Sequence, residues 1–116
     1  MNIIAGQIAE FLKNFAPFNQ LTSNELAEIA NNIRVVNLEK KQTLFKQNDT
    51  LHDSFYVVAS GVVNIAVIVD AEENIIDKCH EGRIFGLRPF FSKNNYKVTA
   101  KAREESIVYA IPIAVF

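Results

Sequence analysis

The sequence predicts an α+β domain, with N-terminal helices followed by an antiparallel sandwich or barrel of short strands. Three observations carry this expectation. Apolar residues recur at helical spacing over the first third of the chain. From Arg34 on, the pattern changes to short runs rich in β-branched residues. Polar and glycine-containing turns separate those runs at close, regular intervals, as in an all-β sandwich or barrel.

Each element has a local reason. Ile4, Ile8, Phe11, Leu12 and Phe15 fall on one helical stripe, with Gln7, Glu10 and Lys13 on other faces. Ala16-Pro17 ends this helix, because the residue before proline disfavours the α region. Thr22 caps a second helix, and Glu25 three residues later completes a capping box. Leu21 and Leu26 have the spacing of a hydrophobic staple. Leu26, Ile29, Ala30 and Ile33 continue that helix as an apolar face. Strands are expected at 35–38, 43–46, 55–58, 62–68, 75–79, 96–102 and 107–111, with the Glu81-Gly82 turn leading into Arg83-Ile84-Phe85. Polar turns at 39–42, 47–49, 70–74 and 103–106 separate them, with Ser60-Gly61 and Glu81-Gly82 as further punctuation.

Length and composition limit the function. A chain of 116 residues suits a single domain over 1–116 and can bury a real core. A hydrophobic share of 49% is that of a globular protein. Twelve Lys and Arg against thirteen Asp and Glu give a net charge of -1. This balance argues against a nucleic-acid partner, which calls for a basic excess. Cys79 is the single cysteine, so no internal disulfide forms and a cytoplasmic setting is the default. The N-terminal segment has no basic lead and reads as an amphipathic helix, not a signal peptide. No apolar run approaches the roughly 20 residues of a membrane span. The apolar end at Ile111–Phe116 leads us to expect that the domain is the N-terminal part of a longer protein.

Several motifs then appear in order: Pro17-Phe18 through Leu26, Leu44–Asp49, Phe55–Val58 followed by Ser60–Val63, and Glu81-Gly82 leading into Phe85-Gly86. In order and spacing, the stretch from about Phe11 to Phe116 resembles the cyclic-nucleotide-binding domain, the sensor module of catabolite-activator-type regulators, protein kinase regulatory subunits and gated channels. More narrowly, Phe85–Phe91, Thr99–Ala102 and Ile107–Pro112 resemble the N-terminal sensor domain of bacterial signalling proteins that carry paired CBS domains and a nucleotidyltransferase-like domain. The resemblance implies a β-roll, a jelly-roll-like double-stranded β-helix, with a short helix in a phosphate cassette. It also implies a regulatory role without enzymatic activity and cyclic AMP or a related nucleotide as ligand. No cofactor is required. Other domains of the same chain, and a homodimer, are the implied partners. In this family the base is covered by a helix after the roll, and none follows Pro112 here.

The resemblance also places the site. The phosphate would rest on the start of a short helix from Gly86 through Phe91, where main-chain amides and the helix dipole favour an anion. The site candidates are Phe85, Gly86, Leu87, Arg88, Pro89, Phe90, Tyr96, Lys97, Val98 and Thr99. Two positions depart from the family pattern. Leu87 stands where a ribose-gripping Glu is expected, and Tyr96 where a phosphate-pairing Arg is expected. Each missing charged hydrogen bond is worth roughly 1.5–3 kcal/mol, so cyclic AMP binding should be weak or altered. Arg88 and Lys97 are the available substitutes, although solvated surface charges is the plainer reading. Strand alternation should turn Tyr96 and Lys97 to opposite faces. Phe90 and Phe91 should anchor the short helix in the core. A vestigial pocket, leaving the domain as an interaction or dimerisation module, is the alternative.

Other chemistries fit poorly. A cupin-type metal site needs clustered histidines, and His52 and His80 are far apart. His52-Asp53-Ser54 has the residue types of a hydrolase triad, but consecutive residues cannot take those positions, so it reads as a polar turn. Glu72-Glu73 and Glu104-Glu105 read as solvated turn carboxylates, and neither GxGxxG nor a phosphate-loop GK[ST] occurs. A DNA-binding regulator of the catabolite-activator type would need a helix-turn-helix, and residues 1–116 offer no expectation of one.

Overall fold

A computed structural model describes residues 3–115; Met1, Asn2 and Phe116 lie outside the described residues. Helix α1 runs Ile3–Leu12 and α2 runs Ser23–Asn32. Eight strands follow: β1 Arg34–Leu38, β2 Thr43–Phe45, β3 Ser54–Ser60, β4 Val63–Val69, β5 Glu72–Cys79, β6 Ile84–Phe85, β7 Thr99–Ala102 and β8 Ser106–Pro112. A short helix α3, Arg88–Ser92, interrupts them between β6 and β7. They form two four-stranded sheets, β1-β8-β3-β6 and β2-β7-β4-β5, with every pair antiparallel. Among the described residues, no helix is long and apolar enough to cross a membrane.

The α2 capping box forms as its residues dictate. The Glu25 amide donates to Thr22 Oγ1 at 3.1 Å, and the Thr22 amide donates to Glu25 Oε1 at 2.9 Å. Thr22→Ala removes one cap acceptor and should cost about 1 kcal/mol of stability, read from the urea midpoint. Helix α1 differs from expectation. It ends at Leu12, four residues before Ala16, and the Ala16-Pro17 bond is cis. Its buried face is Ala5, Ile8, Ala9 and Leu12, whereas Ile4 is 65% exposed. The small alanines allow α1 to pack closely, and Ile4 falls outside that stripe.

Strand β3 explains how two cores share one sheet. Its side chains alternate across the sheet. Tyr56 and Val58 join a core between the sheets that includes Leu38, Phe45, Val63, Phe85 and Val108. Phe55 and Val57 face the other way and pack with α1, α2 and Ile111. The β3 run is therefore continuously buried from Ser54 to Val58. The expected turn over 70–74 shrinks to Asp70-Ala71, with φ of 51° and 66°. Two consecutive positive φ values are the signature of a tight hairpin, so β5 starts at Glu72 opposite Val69. Gly61, with φ of 87°, has no room for a side chain, since a Cβ there would lie 2.2 Å from Ser106 Oγ.

Candidate functional site

The residues from Phe85 to Thr99 connect β6 to β7 across one end of the roll. Phe85 is buried in the core between the sheets. Gly86 has φ of 77°, and a Cβ there would lie 3.3 Å from Tyr56 and 3.4 Å from Phe45. It is thus a backbone position that only glycine fills without strain, pressed onto the aromatic core. The short helix starts later than expected. Leu87 is its N-cap, without a side-chain cap bond, and Pro89 sits in its first turn. Arg88 is exposed and makes no ion pair among the described residues. Leu87 and Phe90 pack against the helix-side core, on the far side of the sheet from the roll interior. Phe91, expected in the core, is 76% exposed. A helix of only five residues cannot bury two adjacent aromatics on one side.

Strand β7 begins at Thr99, so Tyr96, Lys97 and Val98 form a loop and not the strand expected from 96. Main-chain bonds hold this loop to the turn after β2. The Asn48 amide donates to the Tyr96 carbonyl at 2.7 Å, and the Tyr96 amide donates to the Asp49 carbonyl at 3.1 Å. Tertiary ties, not strand alternation, turn Tyr96 inward and leave Lys97 exposed. Lys97 and Lys93 border an open polar hollow of about 540 Å³ between this loop and the Gln47-Asn48 turn. Val98 packs against the inter-sheet core. Thr99 is buried, and its Oγ1 accepts the Gln47 amide at 3.0 Å.

The Tyr96 ring is part of the core between the sheets. It is 1% exposed and lies flat on Phe45, with centroids 3.8 Å apart and planes 9° from parallel. His52 meets it edge-on at 5.4 Å. Tyr56 and Phe85 stack at 5.6 Å and complete an aromatic cluster. The phenols are tied in through His52. The His52 amide donates to the Tyr96 hydroxyl at 3.1 Å, and His52 Nδ1 shares a 2.5 Å hydrogen bond with the Tyr56 hydroxyl. The sequence reading missed Phe45, His52 and Tyr56 as parts of this site. Phe45 and Tyr56 carried only a core signal, and His52 read as a turn residue.

Burial, with a smaller contribution from Tyr96, pushes the Tyr56 phenol up to about 12 from its ordinary value near 10. Burial raises Tyr96 in the same direction, and pushes the Cys79 thiol up to about 11. The Tyr56 and Tyr96 phenols facing the interior are therefore neutral at physiological pH. The folded state holds the Tyr56 proton more tightly than the unfolded chain does. This contribution to stability is complete below about pH 10 and declines as pH rises towards about 12. Unfolding midpoints should fall across this window, and Tyr56→Phe should flatten the decline, measured by urea titration at a series of alkaline pH values.

No group of three His, Cys, Asp or Glu side chains among the described residues is placed to hold a metal ion. The comparisons agree with the architecture. Residues 35–116 match the family described as "Cyclic nucleotide-binding domain". The chain is 32% identical over 69 residues to the potassium channel KAT1 of Oryza sativa subsp. japonica, a match covering 60% of this chain and 10% of that protein's length. The sensor domain of the transcriptional regulator DNR from Pseudomonas aeruginosa superposes with a TM-score of 0.86 at 25% identity, covering 96% of this chain and 75% of that one. The regulatory domain of Toxoplasma gondii PKA, solved with cAMP, shares the fold with a TM-score of 0.86 at 17% identity, covering 94% of this chain and 42% of that one. The family match spans the β-roll from the second residue of β1 onward, with all of the segment that carries Gly86, Leu87 and Tyr96, and the chain belongs to the cyclic nucleotide-binding domain family.

Proposed function

We propose that this domain is a regulatory module of the cyclic-nucleotide-binding type whose phosphate cassette is closed to cyclic AMP and cyclic GMP at ordinary concentrations. One observation carries the reading: Tyr96, at the position where the resemblance expects a phosphate-pairing arginine, is buried and stacked on Phe45. Leu87, at the position expected to grip a ribose, packs against the helix-side core. Arg88 and Lys97 are solvated and do not replace the missing cation inside the roll. Binding there would require the Tyr96 ring to leave, at the expense of its stacking and burial. The proposed setting is the cytoplasm, within residues 1–116 as the N-terminal unit of a longer signalling chain. The run Phe85–Phe91 supports paired CBS domains and a nucleotidyltransferase-like domain as its output.

A second reading has its own observation. Ile68, Val69, Ile75 and Ile76 are each exposed on the β4–β5 hairpin, which suits a domain kept for interaction or dimerisation. Thermal unfolding with millimolar cyclic and linear nucleotides tests both. A ligand at about 100 times its dissociation constant adds about 2.7 kcal/mol, an easily seen shift. No shift with cyclic AMP or cyclic GMP is expected. A shift of that size with cyclic AMP overturns the closed cassette, and a selective shift with another nucleotide favours a sensor over the interaction module.

A further inference from the structure

Strand β1 carries a charge where its alternation calls for an apolar residue. Leu38 is buried and Val36 packs against the inter-sheet core, so Arg34 stands next in the same inward row. The register agrees. Arg34 lies opposite Ala110, and Ala110 lies opposite Tyr56, so all three share the sheet face that looks into the roll. Arg34 is solvent-accessible at the end of that row and makes no ion pair among the described residues.

Around Arg34, the residues Val36, Leu44, His52, Asp53 and Tyr56 complete a cavity of about 380 Å³. That size falls within the range of roughly 300–1,000 Å³ typical of small-molecule sites. The lining divides by chemistry. Val36 and Leu44 are apolar. Arg34 offers only donors, in a fork that matches a carboxylate. Asp53 is exposed and offers acceptors. The His52–Tyr56 hydrogen-bonded pair is neutral at its phenol end and closes the inner wall.

We propose that this cavity binds a small zwitterion of the α-amino-acid class, with its carboxylate on Arg34, its ammonium on Asp53 and its side chain over Val36 and Leu44. One cationic and one anionic wall select against polyanions, because a second phosphate would face the Asp53 carboxylate. The site adjoins the cassette and shares Tyr56 and His52 with its aromatic cluster, but its two charged groups, Arg34 and Asp53, lie outside the cassette, and it stands whether or not the cassette admits cyclic AMP.

The test is an amide NMR titration of the full-length chain with each of the common L-amino acids, with acetate and ethylamine as half-ligands. Saturable shifts at the His52, Asp53 and Tyr56 amides are expected with a subset of the amino acids. Binding should be at least about tenfold weaker with either half-ligand, and about tenfold weaker or more in Arg34→Gln and Asp53→Asn, one decade for each 1.4 kcal/mol of lost contact. Both replaced side chains are exposed, and the variants' own spectra report their folding. Absence of saturable shifts with every amino acid overturns the proposal, as does binding that persists unchanged in Arg34→Gln. Cyclic AMP in the cassette would instead move the Gly86, Leu87 and Arg88 amides, so failure of the closed-cassette reading is distinguishable.

Discussion

Replacing Tyr96 by alanine lowers the unfolding free energy by about 3–5 kcal/mol, the range for truncating a large buried aromatic. The ring is 1% exposed, so nearly all of its area returns to water on unfolding. Its stack on Phe45 and edge contact with His52 disappear together. Such aromatic pairs add about 0.5–1.5 kcal/mol beyond area. The His52 amide also loses its acceptor. Tyr96→Phe isolates that last effect and should cost only about 1 kcal/mol, because the ring remains. Urea unfolding of both variants separates packing from hydrogen bonding. A loss below about 1 kcal/mol for Tyr96→Ala would show that the ring is a loose occupant and not part of the core.

The double substitution Leu87→Glu with Tyr96→Arg should tighten cyclic AMP binding by roughly 10²–10⁴-fold, measured by calorimetry. Each restored charged hydrogen bond contributes roughly 1.5–3 kcal/mol, and 1.4 kcal/mol is tenfold. The same change weakens the unliganded domain. An arginine placed on Phe45 leaves the aromatic cluster short of a ring and brings a charge to its edge. The variant should therefore unfold at a lower temperature without nucleotide and regain stability with it, because the ligand binds only the folded state. Tyr96→Arg alone should gain less, since Leu87 still offers the ribose nothing. Undiminished stability with no gain of binding would mean that the loop from Asn94 to Val98 does not deliver position 96 to the phosphate.

Much of this molecule follows from local rules. The Thr22–Glu25 box, the helical stripe of α2 and the presence of glycines at turns use only the order of residues over a short stretch. Such features need only propensity and periodicity to be expected. Boundaries moved where tertiary contacts compete. Leu12 ends α1 well ahead of Pro17, and β7 starts at Thr99 because the Tyr96 backbone bonds to Asn48 and Asp49 instead of continuing the ladder. The β4–β5 turn tightened for a related reason: the strands pair up to Val69 and Glu72, leaving two residues to reverse the chain.

The site divides along the same line. That position 87 is a leucine and position 96 a tyrosine, where the resemblance expects a glutamate and an arginine, is read directly from the sequence, and it is the ground for expecting a weak cassette. That Tyr96 is buried was not readable, because its ring partners Phe45 and His52 lie more than forty residues away, and no periodicity links them to it. Arg34 is the clearest case. As a residue type it reads as a surface charge. Only the pairing of β1 with β8 and of β8 with β3 places it on the inward row beside Tyr56. Pattern along the chain sets which residues can be inside, whereas the register between distant strands sets which of them meet, because strand pairing is a long-range bond network with no local code.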